Sequence, residues 1–296
     1  MTMQQALEPG VIPVPELEQT EEDFVFISAA EDPIAAMTAA ATPDTTPKED
    51  KTPLIGEPGD TTVRLPGGYV DEKGQRYLTA EVRELTGEDE EALARAAAGG
   101  NPSRYAQVLL ERGTVQVGPY PSTPVLISNL LAGDRDMLML GIRCATYGTN
   151  IDVDVKCPVC GVEAHIQVLA KEDITVKPLE DVGPEYHIDL RAAHSAQVRL
   201  VLGSDINSLG DAEEATLAEQ NTLLLSRCIL SIDGIALKPG TALQRVKQLG
   251  MGDRRTILAF LNANQPGPNF EDVKYACTAC GKEMTLALGI GDLFPR

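Results

Sequence analysis

The chain has 296 residues, 43% of them hydrophobic, so one large domain or two of ordinary size can bury a real core. Its formal net charge is -19, and residues 1 to 60 carry 13 acidic and 2 basic side chains, which leaves -8 for the other 236. An acidic surface repels phosphate backbones, so nucleic acid is not expected as a partner. No apolar run reaches the roughly 18 to 20 residues that cross a bilayer, and no membrane association is expected. The acidic N-terminus lacks the positive charge of a signal peptide, which points to a cytoplasm-like, reducing compartment.

Residues 1 to 60 are rich in Pro, Thr, Ala and acidic side chains and carry no sustained helix or strand period, so they are expected to form a disordered head. Within them Phe24-Val25-Phe26-Ile27 stands between acidic clusters. It reads either as a docking motif that adds a strand to a partner's sheet or as an apolar island in a tail.

From residue 61 onward the chain resembles itself. Residues 80–89 (AEVRELTGED) and 196–205 (AQVRLVLGSD) share five of ten positions at an offset of 116. Gly133-Asp134-Arg135 recurs as Gly252-Asp253-Arg254 at an offset of 119, and DVDVKCPVCG (152–161) matches DVKYACTACG (272–281) at five positions and an offset of 120. Three matches in one order predict a tandem duplication.

Each copy opens with a predicted strand, Leu78 to Leu85 or Ala196 to Leu202. In the first copy Thr86 followed by Glu88, Asp89 and Glu90 is an N-cap with acids at the positive end of the helix dipole. Asn101-Pro102 starts a second helix running to Gly113, with its counterpart at Leu217 to Cys228. Short strands follow at Thr114 to Val117 and Ile229 to Ile232. The Gly-Asp-Arg stretches then open a third helix, with Asp134 or Asp253 placed as N-cap. Met137, Leu138, Leu140 and Ile142, like Ile257, Leu258, Phe260 and Leu261, cover more than a narrow stripe, so this helix should be buried on much of its surface. Arg135 and Arg254 either tie the helix start to a carboxylate such as Asp152 or Asp272 or stand in solvent.

Around the first cysteine pair Ile151, Val153 and Val155 alternate with polar residues, as do Val162, Ala164, Ile166 and Val168 after it, so Cys157-Pro158-Val159-Cys160-Gly161 is the tip of a β-hairpin. Val273, Tyr275, Met284, Leu286 and Leu288 repeat the pattern around Cys277-Thr278-Ala279-Cys280-Gly281. Two thiolates three residues apart in a tight turn suit one tetrahedral ion, and the glycine permits the left-handed backbone of the turn. One knuckle supplies two ligands and a closed site needs four, so Cys157, Cys160, Cys277 and Cys280 together are expected to hold one structural zinc ion. His165 falls on the polar face of its strand and is not expected to ligate. A thioredoxin-like redox pair is the rival reading of a single CxxC. Cys144 and Cys228, in apolar helical surroundings, read as buried small hydrophobes.

These elements predict an α+β fold: an acidic head (1–60), a first repeat with the CPVC knuckle (61–195) and a second with the CTAC knuckle (196–296), clasped by the zinc site. From about residue 76 the chain resembles the T4-type baseplate hub assembly proteins of contractile phage tails, through Gly133-Asp134-Arg135-Asp136-Met137-Leu138, Cys157-Pro158-Val159-Cys160-Gly161 and Arg83 to Glu90. The long acidic head departs from that pattern. The resemblance implies a non-enzymatic part that contacts other tail or hub proteins, in the host cytoplasm during assembly or in the virion tail baseplate. A zinc-ribbon nucleic-acid module would also explain the cysteines, but such modules usually show a basic face with aromatics, and this chain has no Trp. The three histidines form no constellation with an open metal position and a nearby base, so no enzyme is expected.

Overall fold

The computed structural model describes residues 61–179, 183, 185–191, 194–212 and 214–294. The expected disordered head and its Phe24–Ile27 motif lie outside the described residues.

Among the described residues the first half runs β1 (Thr62–Val70), β2 (Arg76–Val82), α1 (Gly87–Ala97), α2 (Pro102–Gly113), β3 (Thr114–Val117), β4 (Tyr120–Pro121), α3 (Pro124–Asn129), α4 (Ala132–Tyr147), β5 (Asn150–Lys156), β6 (Glu163–Leu169) and β7 (Val176–Lys177). The second half runs β8 (Tyr186–Asp189), β9 (Ser195–Val198), α5 (Gly203–Gly210), α6 (Leu217–Cys228), β10 (Ile229–Ile232), β11 (Ile235–Ala236), α7 (Pro239–Lys247), α8 (Met251–Asn264), β12 (Gly267–Pro268), β13 (Val273–Ala276), β14 (Glu283–Leu286) and α9 (Ile290–Leu293). Helices and strands are thus mixed, as expected of an α+β chain. Each half has an antiparallel four-stranded sheet in sequence order, β1-β2-β3-β4 and β8-β9-β10-β11.

The helix starts follow local chemistry. Asn101 Oδ1 accepts the Arg104 N–H at 3.0 Å with Pro102 in the first turn, and the Thr216 hydroxyl and Glu219 carboxylate form a reciprocal capping box on α6. Asp134 and Asp253 are not N-caps. Leu131 and Gly250 occupy that position, and each aspartate sits at the third helical residue, where it takes a backbone N–H from the opening hairpin of its own half: Gly67 N–H to Asp134 Oδ1 at 2.7 Å, Arg191 N–H to Asp253 Oδ1 at 3.0 Å. Long-range acceptance displaced local capping, a choice that pattern reading cannot see.

Two further arrangements recur. Asp89, 1% exposed, accepts from Arg83 (2.8 and 3.0 Å) and Arg112 (3.0 Å) and from the Thr86 N–H; Asp205, 0% exposed, accepts from Arg199 (2.6 and 3.0 Å), Arg227 (2.7 Å) and the Leu202 N–H. Likewise Leu85 N–H donates to Thr146 Oγ1 (3.2 Å) and Val201 N–H to Gln265 Oε1 (3.1 Å). The segments that follow β2 and β9 are thereby tied to the first two helices of their half and to α4 or the end of α8.

The core of the first half contains Leu65, Leu109, Leu110, Ile127, Leu138 and Ile142, with α4 buried as expected. Helix α8 is more open; Ile257 and Leu261 are buried, while Leu258 and Phe260 are half-buried. Cys228 is buried and Cys144 half-buried. The same core also takes in Val273, Leu288, Leu293 and Phe294 from the end of the second half.

Candidate metal centre

Strands β5 and β6 pair without slippage from Asn150–Leu169 to Lys156–Glu163, and β13 and β14 pair from Val273–Leu286 to Ala276–Glu283. The alternation seen in the sequence fixes each register, because a one-residue slip would turn Ile151, Val153 and Val155 from the core to solvent. Each hairpin ends in the same turn. Cys157 N–H donates to Val162 O (2.9 Å) and Gly161 N–H to Cys157 O (2.8 Å); Cys277 N–H donates to Lys282 O (2.9 Å) and Gly281 N–H to Cys277 O (2.8 Å). Gly161 and Gly281 stand at φ 72° and 69°, a conformation that side chains with a Cβ rarely adopt.

The two tips meet. Cys157 Sγ lies 3.9 Å from Cys280 Sγ and Cys160 Sγ 3.7 Å from Cys277 Sγ, and all four sulfurs fall within 4.8 Å of one another. Disulfide sulfurs stand only about 2 Å apart. By contrast, four thiolates at about 2.3 Å from a tetrahedral ion have edges of about 3.8 Å. The donor set and spacing therefore fit a soft, tetrahedral ion and no disulfide pairing. The first cysteine of each pair is buried and the second exposed. The Cys160 N–H points at Cys157 Sγ (3.5 Å) and holds that thiol down at about 6, and the Cys280 N–H lowers Cys277 in the same way. Unscreened thiolates this close repel one another, which favours a cation among them. Met284 closes one side, its sulfur 3.7 Å from Cys157 Sγ and 3.8 Å from the Tyr275 hydroxyl.

His165 stands apart from the sulfurs. It lies opposite Asp154 on the exposed face of the hairpin, with Nδ1 2.9 Å from Asp154 Oδ1, and this hydrogen bond raises its pKa. Arg135 does not reach Asp152, nor is it solvated: it is 4% exposed and donates to Gly203 O (2.7 Å), Asn207 Oδ1 (3.1 Å) and Gln107 Oε1 (3.1 Å). Arg254 donates to Thr222 Oγ1 (2.7 Å) rather than to Asp272. Asp89 looks in the sequence like a first-turn acid alone; the signal for its pairing is that Arg83, Asp89, Arg199 and Asp205 are among the identities of the two aligned segments.

Neither a search of curated proteins nor one of solved structures gave a match. A family model described as T4 bacteriophage base plate protein matches residues 62–295, a stretch that contains every strand and helix above and both cysteine turns. Since that match runs through both halves, the chain belongs to the family of the T4 bacteriophage base plate protein.

Proposed function

We propose that the chain is a non-enzymatic component of a contractile-tail baseplate, at its hub, which works by presenting surfaces to other tail proteins and is held together by one structural zinc ion on Cys157, Cys160, Cys277 and Cys280. The observation that carries the tail role is the family match over residues 62–295. On this reading the protein works in the host cytoplasm during assembly or in the virion tail baseplate.

The repeats 61–195 and 196–296 are copies of one unit on this reading. Its support is the recurring order of elements, the matched Arg–Asp–Arg ties and the two equivalent cysteine turns. Strand β8, which precedes residue 196, completes the opening hairpin of the second copy. Bound zinc would add on the order of 10 kcal/mol to the pairing of the hairpins. The nucleic-acid alternative is disfavoured by the net charge of -19 and by Asp152 and Asp154 on the open face of the first hairpin.

Metal analysis of the reduced, purified chain should find one zinc per molecule, and affinity capture from phage-infected cells should recover tail proteins. Two zincs per chain, or none, would remove the shared site. Salt-sensitive recovery of nucleic acid in place of tail proteins would overturn the tail role.

A further inference from the structure

The halves meet through a one-way contact. Ala132 N–H donates to Val201 O (2.9 Å) and Gly203 N–H donates to Leu130 O (2.8 Å), on either side of a bridge between Leu131 and Leu202. Arg135 then crosses from α4 to Gly203 O and Asn207 Oδ1 at the start of α5. The two sides of this contact differ: the first half brings the start of α4 with Arg135, and the second half brings the start of α5 with Gly203 and Asn207.

If the halves are copies of one unit, each side has a counterpart that the internal contact leaves over. The α4 side recurs 119 positions on as Gly250, Met251 and Arg254; the α5 side recurs 116 positions earlier as Leu85, Thr86, Gly87 and Glu91. Their exposure differs from that of the paired set. Val201, Gly203 and Arg135 are buried, whereas Met251 is 88% exposed, the Glu91 side chain is 74% exposed, and Thr86 and Gly87 are exposed. Arg254 turns back onto its own half, to Thr222, which stands where Gln107 stands relative to Arg135.

We infer that the start of α8 in one chain docks on the start of α1 in a second copy of this chain, repeating between molecules the contact that joins the two halves within one. The inference rests on the repeat reading above. Charge favours a second copy as the occupant: the counterpart of Asn207 is Glu91, so Arg254 would meet a carboxylate where Arg135 meets an amide. Because the start of α8 and the start of α1 are different faces, the contact is head-to-tail, and repeated association closes into a ring or runs on as a filament.

Sedimentation of the full chain over a range of concentrations tests this. Association should grow with concentration, Arg254→Glu and Glu91→Arg should each weaken it at least tenfold, and the two changes together in one chain should restore it. A chain that stays monomeric, or associates regardless of both substitutions, overturns the docking. The melting temperatures of Asp89→Asn and Asp205→Asn separate this from the repeat reading. Similar losses in a monomeric chain would keep the repeat and remove the docking, whereas loss in one half alone would remove the repeat on which the docking rests.

Discussion

Gly133 and Asp134 show how much a single position can be asked to do. A methyl group on Gly133 would run into the carbonyl of Pro266, and Gly267, at φ 143°, packs its Cα on the same spot, so two backbones touch where any side chain would part them. Beside them Asp134 is 0% exposed; its Oδ1 takes the Gly67 N–H, while its Oδ2 has no hydrogen-bond partner. Burial outweighs the Gly67 N–H and pushes the carboxyl up to about 6. Folding therefore takes up a proton between about pH 4 and pH 6, and stability falls as pH rises through that window. Two pKa units correspond to about 3 kcal/mol. Asp134→Asn, a neutral isostere, should gain on the wild type by most of that amount, about 2 kcal/mol, between pH 4 and pH 7.5. Chemical denaturation at the two pH values checks this, and a constant difference between the proteins would show that Asp134 is ionised throughout.

At the scale of elements, the buried aspartates at the starts of α1 and α5 brace strand, first helix and second helix together. The pair to Arg199 and Arg227 holds the Asp205 carboxyl below its ordinary value even though burial opposes this. Its contribution is complete above about pH 4 and is lost as pH falls below that, the reverse of Asp134. Asp205→Asn should cost about 2 kcal/mol, since the removed charge leaves two half-open arginines that water screens in part. In a chain of this size that is a fall in melting temperature of about 5 °C, read by calorimetry at pH 7. A shift under 1 °C would mean the arginines are equally well served by solvent. These braces also mark where sequence reading stops. Helix α2 and strands β3 and β10 were legible to the residue because Asn101-Pro102, apolar spacing and short β-branched runs decide them locally. Strands β1 and β8, and helices α3 and α7, were not foreseen: Pro66-Gly67-Gly68 interrupts the first, and β1 and β8 are fixed by pairing along β2 and β9. The cysteine hairpins were legible because alternation and CxxCG turns are short-range signals. That Arg135 would bind a backbone carbonyl 68 residues away had no local signal at all.

For the whole molecule, the cysteine cluster joins hairpins about 120 residues apart in the chain. Cys157→Ser removes one of the four proposed ligands and leaves the hairpins to their apolar contacts, among them Val153, Val155 and Val273. It should lower zinc content and melting temperature together, while far-ultraviolet circular dichroism at 20 °C stays native. Unchanged thermal stability would mean the cluster carries no mechanical load. The link between last helix and cysteine hairpin has a different length in each half: Tyr147 and Asn150 almost adjoin, whereas Asn264 and Val273 are separated by a long connection that carries β12 across to β7. That connection lets Val273, Leu288 and Phe294 fill the core of the first half. On the ribosome, then, the first half waits for residues of the second half that are made after it. Until the residues around Phe294 emerge, the nascent first half keeps an open apolar wound, and anything that stalls synthesis in the second half leaves it in need of a chaperone.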